Sequence, residues 1–344
     1  MTALTSIADQ PVITHQPLVD TFGRIHDNLR ISVTDRCNIR CFYCMPEDTV
    51  NYVPREELLS FEEIERFARI AVSLGVTKIR VTGGEPLVRK DLPVLIGKLC
   101  SIPGVRDIAL TTNGVLLARH AQALYDAGLR RLNVHLDTLD RERFLKITRR
   151  DDLGKVLQGI ETAQRAGFDP IKINAVAVKN LVEPDIVPLA RFGREQGIEI
   201  RFIEFMPLDS QGLWARENVL SADEIIQTLS REISPLVEVA HRDPRAPATK
   251  YRYSDGVGSV GFIASVTRPF CLNCNRVRLT SDGKLRYCLF AIEETDVRAL
   301  LRDGAPDAEI AATIRETVHK KWLGHEINSA KFVAPPRPMY AIGG

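Results

Sequence analysis

The chain has 344 residues, 44% hydrophobic and 26% charged, with 46 basic residues against 44 acidic ones for a net charge of +2. That is globular composition, long enough for one large domain or a domain plus an extension, and so evenly charged that any anion site must come from local placement. No apolar run of about 18 residues is present to span a membrane, and the N-terminus lacks the basic-then-apolar pattern of a secretory signal, so a cytoplasmic protein is expected.

Residues 1–22 read as a loose polar tail. From about residue 29 to 230, short β-rich runs alternate with longer helical ones. Residues 29–34 (LRISVT) form the first expected strand and run into Cys37-Asn38-Ile39-Arg40-Cys41-Phe42-Tyr43-Cys44. Ser60 and Glu63 make a capping box that opens a helix to about Leu74, with Gly75 as its stop. The second strand, 77–82, ends in Gly83-Gly84-Glu85-Pro86, and a helix follows near 92–100. The third strand, 105–111, ends in Thr112-Asn113-Gly114 and is followed by a helix to Gly128. The fourth, 131–136, precedes a helical pattern over 153–167. The fifth is 171–178, with a helix near 185–195. The sixth, 198–205, ends at Met206-Pro207, with a helix near 222–230. Six successive β-α units imply a parallel sheet with right-handed crossovers, curled into a partial barrel or lying open. No G-x-G-x-x-G follows the first strand, which argues against a dinucleotide fold.

In a parallel barrel the chemistry sits at the C-terminal ends of the strands, and the unusual residues collect there. The strands carry a second signal. A buried parallel strand should be nearly all apolar, yet polar residues recur at period two: Arg30, Ser32, Thr34; Arg80, Thr82; Asn133, His135, Asp137; Lys172, Asn174. Period two puts each set on one face. A polar ligand filling a wide barrel would satisfy them, whereas unpaired polar groups would cost a few kcal/mol each.

The first cysteine loop has the spacing C-x3-C-x2-C. It can wrap three thiolates around one corner of an iron–sulfur cubane and leave the fourth iron open. A structural zinc loop is the competing reading, but such loops favour paired C-x2-C units. After about residue 240 the β-α rhythm stops, and residues 241–249 form a charged, proline-rich linker. Cys271, Cys274 and Cys288 then make a C-x2-C-x13-C group, again without an obvious fourth ligand. A Cys3His zinc ribbon completed by His325 or His241 is one reading of it, and a second cubane with an open iron is the other. Arg276 and Arg278 share a strand face beside this group, and paired guanidiniums suit a polyphosphate. The stretches after Cys288 read as packing elements. The chain ends in Gly343-Gly344, a tail narrow and flexible enough to thread into a crowded pocket. Cys100 reads as a small buried apolar residue.

Cys37, Cys41 and Cys44, the GGEP motif after the second strand and the six β-α units together resemble the radical S-adenosylmethionine (SAM) enzymes. The second cysteine group, the run CNRVRLT from Cys274 and the terminal Gly-Gly narrow the resemblance to the GTP 3′,8-cyclases of molybdenum cofactor biosynthesis, over residues 22–344. The resemblance implies an incomplete (β/α)6 TIM-like barrel of the radical SAM type over 23–240. It also implies a C-terminal extension over 241–344 that carries a second Fe–S cluster.

By the same resemblance the cofactors are two [4Fe–4S] clusters, on Cys37, Cys41 and Cys44 and on Cys271, Cys274 and Cys288, together with SAM. In that family the first cluster cleaves SAM to a 5′-deoxyadenosyl radical, which abstracts hydrogen from C3′ of GTP. The ribose radical then attacks C8, giving (8S)-3′,8-cyclo-7,8-dihydro-GTP. Tyr43, Gly84, His135 and Met206 fall where the family contacts SAM. Arg30, Arg80, Thr111, Lys172, Arg276 and Arg278 fall where it contacts GTP. Gly343 and Gly344 reach the active site and assist catalysis. At position 135 the family usually has Ser, so His135 is a departure. A cyclic pyranopterin monophosphate synthase would accept the product, with no nucleic acid or membrane partner, and the chain would be a monomer or homodimer. The alternatives are a radical SAM peptide-modifying enzyme with an auxiliary cluster and a zinc-stabilised nucleic-acid-binding protein. Near-zero net charge and the lack of aromatic-basic stripes argue against the latter.

Overall fold

Six short strands, each apolar on one face and polar on the other, organise the computed structural model, which describes residues 17–45, 50–209, 211–240 and 243–343. They are β1 (Asn28–Ser32), β2 (Lys78–Thr82), β3 (Asp107–Thr112), β4 (Arg131–His135), β5 (Ile171–Ala177) and β6 (Glu199–Glu204). They pair in sequence order, all parallel. Between them run α1 (Phe61–Ser73), α2 (Leu92–Cys100), α3 (Leu117–Asp126), α4 (Arg141–Thr148), α5 (Leu153–Arg165) and α6 (Glu183–Gln196).

The apolar faces carry Leu29, Ile31, Ile79, Val81, Leu110, Leu132, Val134, Ile173 and Ile200, which pack with Phe67, Leu95, Leu99, Leu124 and Ile160 of the helices in one core. Each such side chain contributes about 1.5–3 kcal/mol on full burial. The polar faces are thereby left on the opposite side. The expected capping box is present: Ser60 Oγ accepts from the Glu63 amide at 3.1 Å, and the Glu63 carboxylate accepts from the Ser60 amide at 2.6 Å. Helix α4 was not expected from the sequence; Asp140 caps it by accepting from the Arg143 amide.

The C-terminal part extends the same sheet at both edges. It supplies α7 (Ala222–Glu232), β7 (Leu236–Val239), β8 (Thr249–Tyr253), β9 (Ser259–Ile263), β10 (Arg276–Leu279), β11 (Lys284–Arg286), β12 (Thr295–Asp296), α8 (Arg298–Arg302), α9 (Asp307–His319) and α10 (Met339–Ile342). The strand order is β12-β11-β10-β1-β2-β3-β4-β5-β6-β9-β8-β7. Strand β10 joins β1 in parallel and β9 joins β6 in parallel, so the partial barrel is widened at each side.

Structure runs across both expected boundaries. The hairpin of β7 and β8 straddles residue 240, because edge strands pair wherever a ladder is free. Packing begins before residue 23: Leu18 is 1% exposed and exchanges backbone bonds with Leu74 and His26. The remainder of the expected tail, residues 1–16, lies outside the described residues. Among the described residues no helix is long and apolar enough to cross a membrane.

Candidate active site

The loops after β1 to β6 and the helix α10 enclose a cavity of about 210 Å³ lined by Cys37, Cys41, Tyr43, Cys44, Gly84, Thr111, His135 and Met206, with Asn113, Asn174 and Tyr340. Four residues of the first cysteine loop thus meet residues from six other segments. Local chemistry explains the meeting. The GGEP turn lies on the backbone that follows β1: Gly84 N–H donates to the Thr34 carbonyl at 2.6 Å and Glu85 N–H to the Arg36 carbonyl at 2.7 Å. A Cβ at Gly84 would stand 2.4 Å from the Arg36 oxygen, so only glycine allows the approach. Glu85 is fully buried and accepts from Leu87 N–H, Thr112 Oγ1 and, at 2.6 Å, Asn113 N–H. It ties the second loop to the third. Burial pushes its carboxyl up to about 7.

Tyr43, His135 and Asp137 form a hydrogen-bonded triad. The Tyr43 hydroxyl donates to Asp137 and lies 2.6 Å from His135 Nε2, which is 3.1 Å from the same carboxylate. A hydroxyl has one proton, so it accepts from Nε2–H. Burial pulls the His135 pKa down, but Asp137 outweighs it and holds the imidazole well above its ordinary value. The imidazole is therefore committed to Tyr43 and Asp137.

In the first loop Cys41 is buried, and Cys37 and Cys44 are half-buried on the cavity wall. Burial pushes Cys37 up to about 12 and Cys44 well above its ordinary value. Asn113 Nδ2 donates toward Cys37 Sγ at 3.6 Å. The sulfurs interact with one another electrostatically, yet among the described residues no three His, Cys, Asp or Glu side chains converge as a single-ion site. Three thiols of one loop on the wall of one cavity are a donor set that fits a cubane, in which each thiolate binds its own iron. The His325 imidazole does not join the second thiol group. It lies tilted against Phe290, ring centroids 5.1 Å apart, while its backbone N–H faces the Cys271 sulfur. His241 lies outside the described residues.

The second thiol group occupies the other end of β1. Cys271 and Cys274 precede β10, which runs parallel to β1, and Cys288 follows the antiparallel β11. Burial raises the Cys274 thiol, but Arg276 and Lys321 outweigh it and bring the thiol down to about 6. Between the two thiol groups runs a row of arginines. Arg278, Arg30 and Arg80 are registered neighbours on β10, β1 and β2. Arg276 and Arg278 are buried, and Arg30 Nε has no partner among the described residues. Burial, then Arg278, Arg276 and Arg80, hold the Arg30 pKa well below the guanidinium value. The Gly343 carbonyl accepts from Arg278 Nη1 at 2.7 Å, so the tail enters the same space; Gly344 lies outside the described residues.

Lys172 stands apart from the first cavity. It lines a second one of about 540 Å³ at the N-terminal ends of β5 and β6, with Glu199 and Lys250. Glu199 pairs with Lys172 at 3.2 Å, Arg201 at 2.7 Å and Lys250 at 3.3 Å, one carboxylate among three cations. Glu199 and Arg201 continue the period-two polarity into the sixth strand, a signal the sequence carried and the reading above passed over. Asn113 and Glu85 sat inside noted motifs without a role. Tyr340, whose backbone N–H faces Cys44, had no sequence signal.

Residues 31–193 match the family model of the radical SAM superfamily, and residues 198–327 match that of Molybdenum Cofactor Synthesis C. The chain is 50% identical over 330 residues to a GTP 3′,8-cyclase of Rhodopirellula baltica, covering 95% of this chain and 92% of that protein. It is 47% identical over 344 residues to a GTP 3′,8-cyclase of Mycolicibacterium smegmatis, covering 98% and 95%. Among solved structures, Streptococcus suis SuiB bound to S-adenosylmethionine superposes with a TM-score of 0.57 at 15% identity, over 88% of this chain and 68% of that one, which is a likeness of fold.

Proposed function

The chain belongs to the GTP 3′,8-cyclases of molybdenum cofactor biosynthesis, a radical SAM family that uses a [4Fe–4S] cluster and SAM, and from that premise we propose how its residues divide the work. Cys37, Cys41 and Cys44 hold the SAM cluster, and Cys271, Cys274 and Cys288 hold a second cluster that receives the purine. When bound, the first cluster supplies the electron that cleaves SAM, and the second supplies an open iron for the base.

The residues do the remainder. Tyr43, held by His135 and Asp137, walls the SAM side of the cavity, with Met206 as an apolar contact. Gly84 permits the close approach of the turn that receives the SAM amino group. His135 takes the place of the family's usual Ser by orienting Tyr43. Arg30, Arg80, Arg276 and Arg278 receive the triphosphate, with Lys172 at the far end and Thr111 on the cavity wall. Gly343 fixes the orientation of Arg278 from the tail, and Gly344, the next residue, assists catalysis.

The observation that carries this reading is the arginine row between two thiol groups. Adjacent buried guanidiniums repel one another, and no carboxylate of the described residues pairs with Arg30, Arg276 or Arg278. The thiols of the second group, Cys274 above all, offset part of that repulsion, and an anionic ligand offsets the rest. The test is anaerobic incubation of reconstituted protein with SAM, dithionite and GTP. GTP should increase 5′-deoxyadenosine formation and yield a cyclised nucleotide; neither effect would defeat the assignment. Arg276→Ala with Arg278→Ala should weaken GTP binding and spare SAM cleavage.

A further inference from the structure

Lys321 is 4% exposed and stands at the end of α9, where its amide donates to the Val318 carbonyl and turns the chain inward. Its ammonium donates to two backbone carbonyls, Arg276 at 2.8 Å and Tyr287 at 2.6 Å. These carbonyls belong to the two limbs of the second thiol group. Arg276 follows Cys274 by two residues, and Tyr287 immediately precedes Cys288. One buried cation thus holds together the segments that present two of the three thiols.

Charge sharpens the point. Among the described residues no carboxylate pairs with Lys321. Asp20, the partner of the neighbouring His26, is taken by Arg24 at 2.6 Å and His26 at 3.0 Å. His26 adds no second cation there, since burial and then Lys321 lower its pKa to about 4 and keep it neutral. The groups that favour the charged form of Lys321 are Cys274 and Cys288. An unpaired buried ammonium is costly, and two carbonyls take two of its three donors without neutralising its charge. Arg24 braces the same region from outside, donating to the Cys271, Trp322 and Leu323 carbonyls.

We propose that Lys321 is the positioning residue and counter-ion of the second thiolate group, holding its two limbs in register and stabilising the net negative charge of the group that they ligate. This rests on the second-cluster reading above. Three thiolates on an iron–sulfur core leave an anion, and reduction adds to its charge. A fixed cation just behind the ligands therefore favours both ligation and the reduced state, because net charge around the sulfurs sets the potential. Outer-sphere partners of this kind are worth about 10- to 100-fold in metal retention.

The experiment uses the full chain carrying Cys37→Ala, Cys41→Ala and Cys44→Ala, so that only the second group can hold iron. Into this parent go Lys321→Met, which removes charge and donors, and Lys321→Gln, which keeps donors and removes the charge. The readouts are iron lost to a chelator over time, the midpoint potential followed by electron paramagnetic resonance, and melting of the iron-free chain. Both variants should lose iron about tenfold faster than the parent and shift the potential to more negative values. The Gln variant should melt, iron-free, close to the parent. An unchanged potential and iron-loss rate in Gln overturns the counter-ion role even if Met unfolds. A fall in iron-free melting alone, without a shift in potential, also overturns it. A parent that takes up no iron overturns the second-cluster reading itself.

Discussion

Arg30 on β1 lies in register with Arg278 on β10, two guanidiniums on adjacent parallel strands, and the Nε of Arg30 is left without a protein partner. Such a pair stores repulsion, which on the proposal above the triphosphate of GTP relieves. Arg30→Leu should therefore stabilise the ligand-free chain by about 1–2 kcal/mol, within the range for replacing buried charge by apolar groups. It should weaken GTP binding about 10- to 100-fold, the worth of a charge-assisted hydrogen bond. Thermal melting with and without GTP checks both signs; a variant destabilised in each condition would contradict the account.

On the proposal that Lys172 receives the triphosphate, GTP affinity should depend on pH. Burial, then Arg201, lower its ammonium to about 8, although Glu199 opposes them. Binding a triphosphate favours the charged form, so the bound-state pKa is higher than that of the free protein. Affinity should hold steady below about pH 8 and fall above it, by at most tenfold per pH unit for a single proton. Lys172→Arg should flatten the profile, because a guanidinium stays charged. Calorimetric titration across this range measures it.

Gly84→Ala places a methyl 2.4 Å from the Arg36 carbonyl oxygen, a backbone atom that cannot swing aside. The cost should be about 1–3 kcal/mol of stability, with SAM affinity reduced because the turn must retreat from the first loop. Equilibrium dialysis against SAM, alongside a thermal melt, reads both.

Glu85→Gln substitutes an amide for a carboxyl that receives three donors. Its NH2 faces a backbone N–H, leaving one donor unmatched, at about 1–3 kcal/mol. Chemical denaturation should record the loss with cooperativity intact. Stability equal to the parent would mean that a protonated carboxyl already serves there.

Most of the reactive end of the barrel was legible beforehand because its signals are local. Cysteine spacing, the GGEP turn after a strand and the Ser60–Glu63 box depend on residues within a few positions of one another, and alternation along a strand reports its two faces directly. That is why Arg30, Arg80, His135 and Lys172 could be marked on one face without coordinates. Lys172 nonetheless stands beside Glu199 and Lys250 rather than in the first cavity, since a face has length as well as direction and period two does not say how far along it a side chain lies.

The sequence by itself determined six β-α units, two thiol groups and a polar interior, each from patterns that neighbouring residues impose through backbone geometry. Only the tertiary structure decided that β10 returns from the far end of the chain to lie beside β1. That pairing sets Arg278 against Arg30, places the second thiol group at the opposite end of the strands from the first, and brings Lys321 behind it. Strand order depends on which free ladder a distant segment can reach and on what the loops between allow. No short-range pattern encodes that choice, because it is made by the whole sheet competing for its edges.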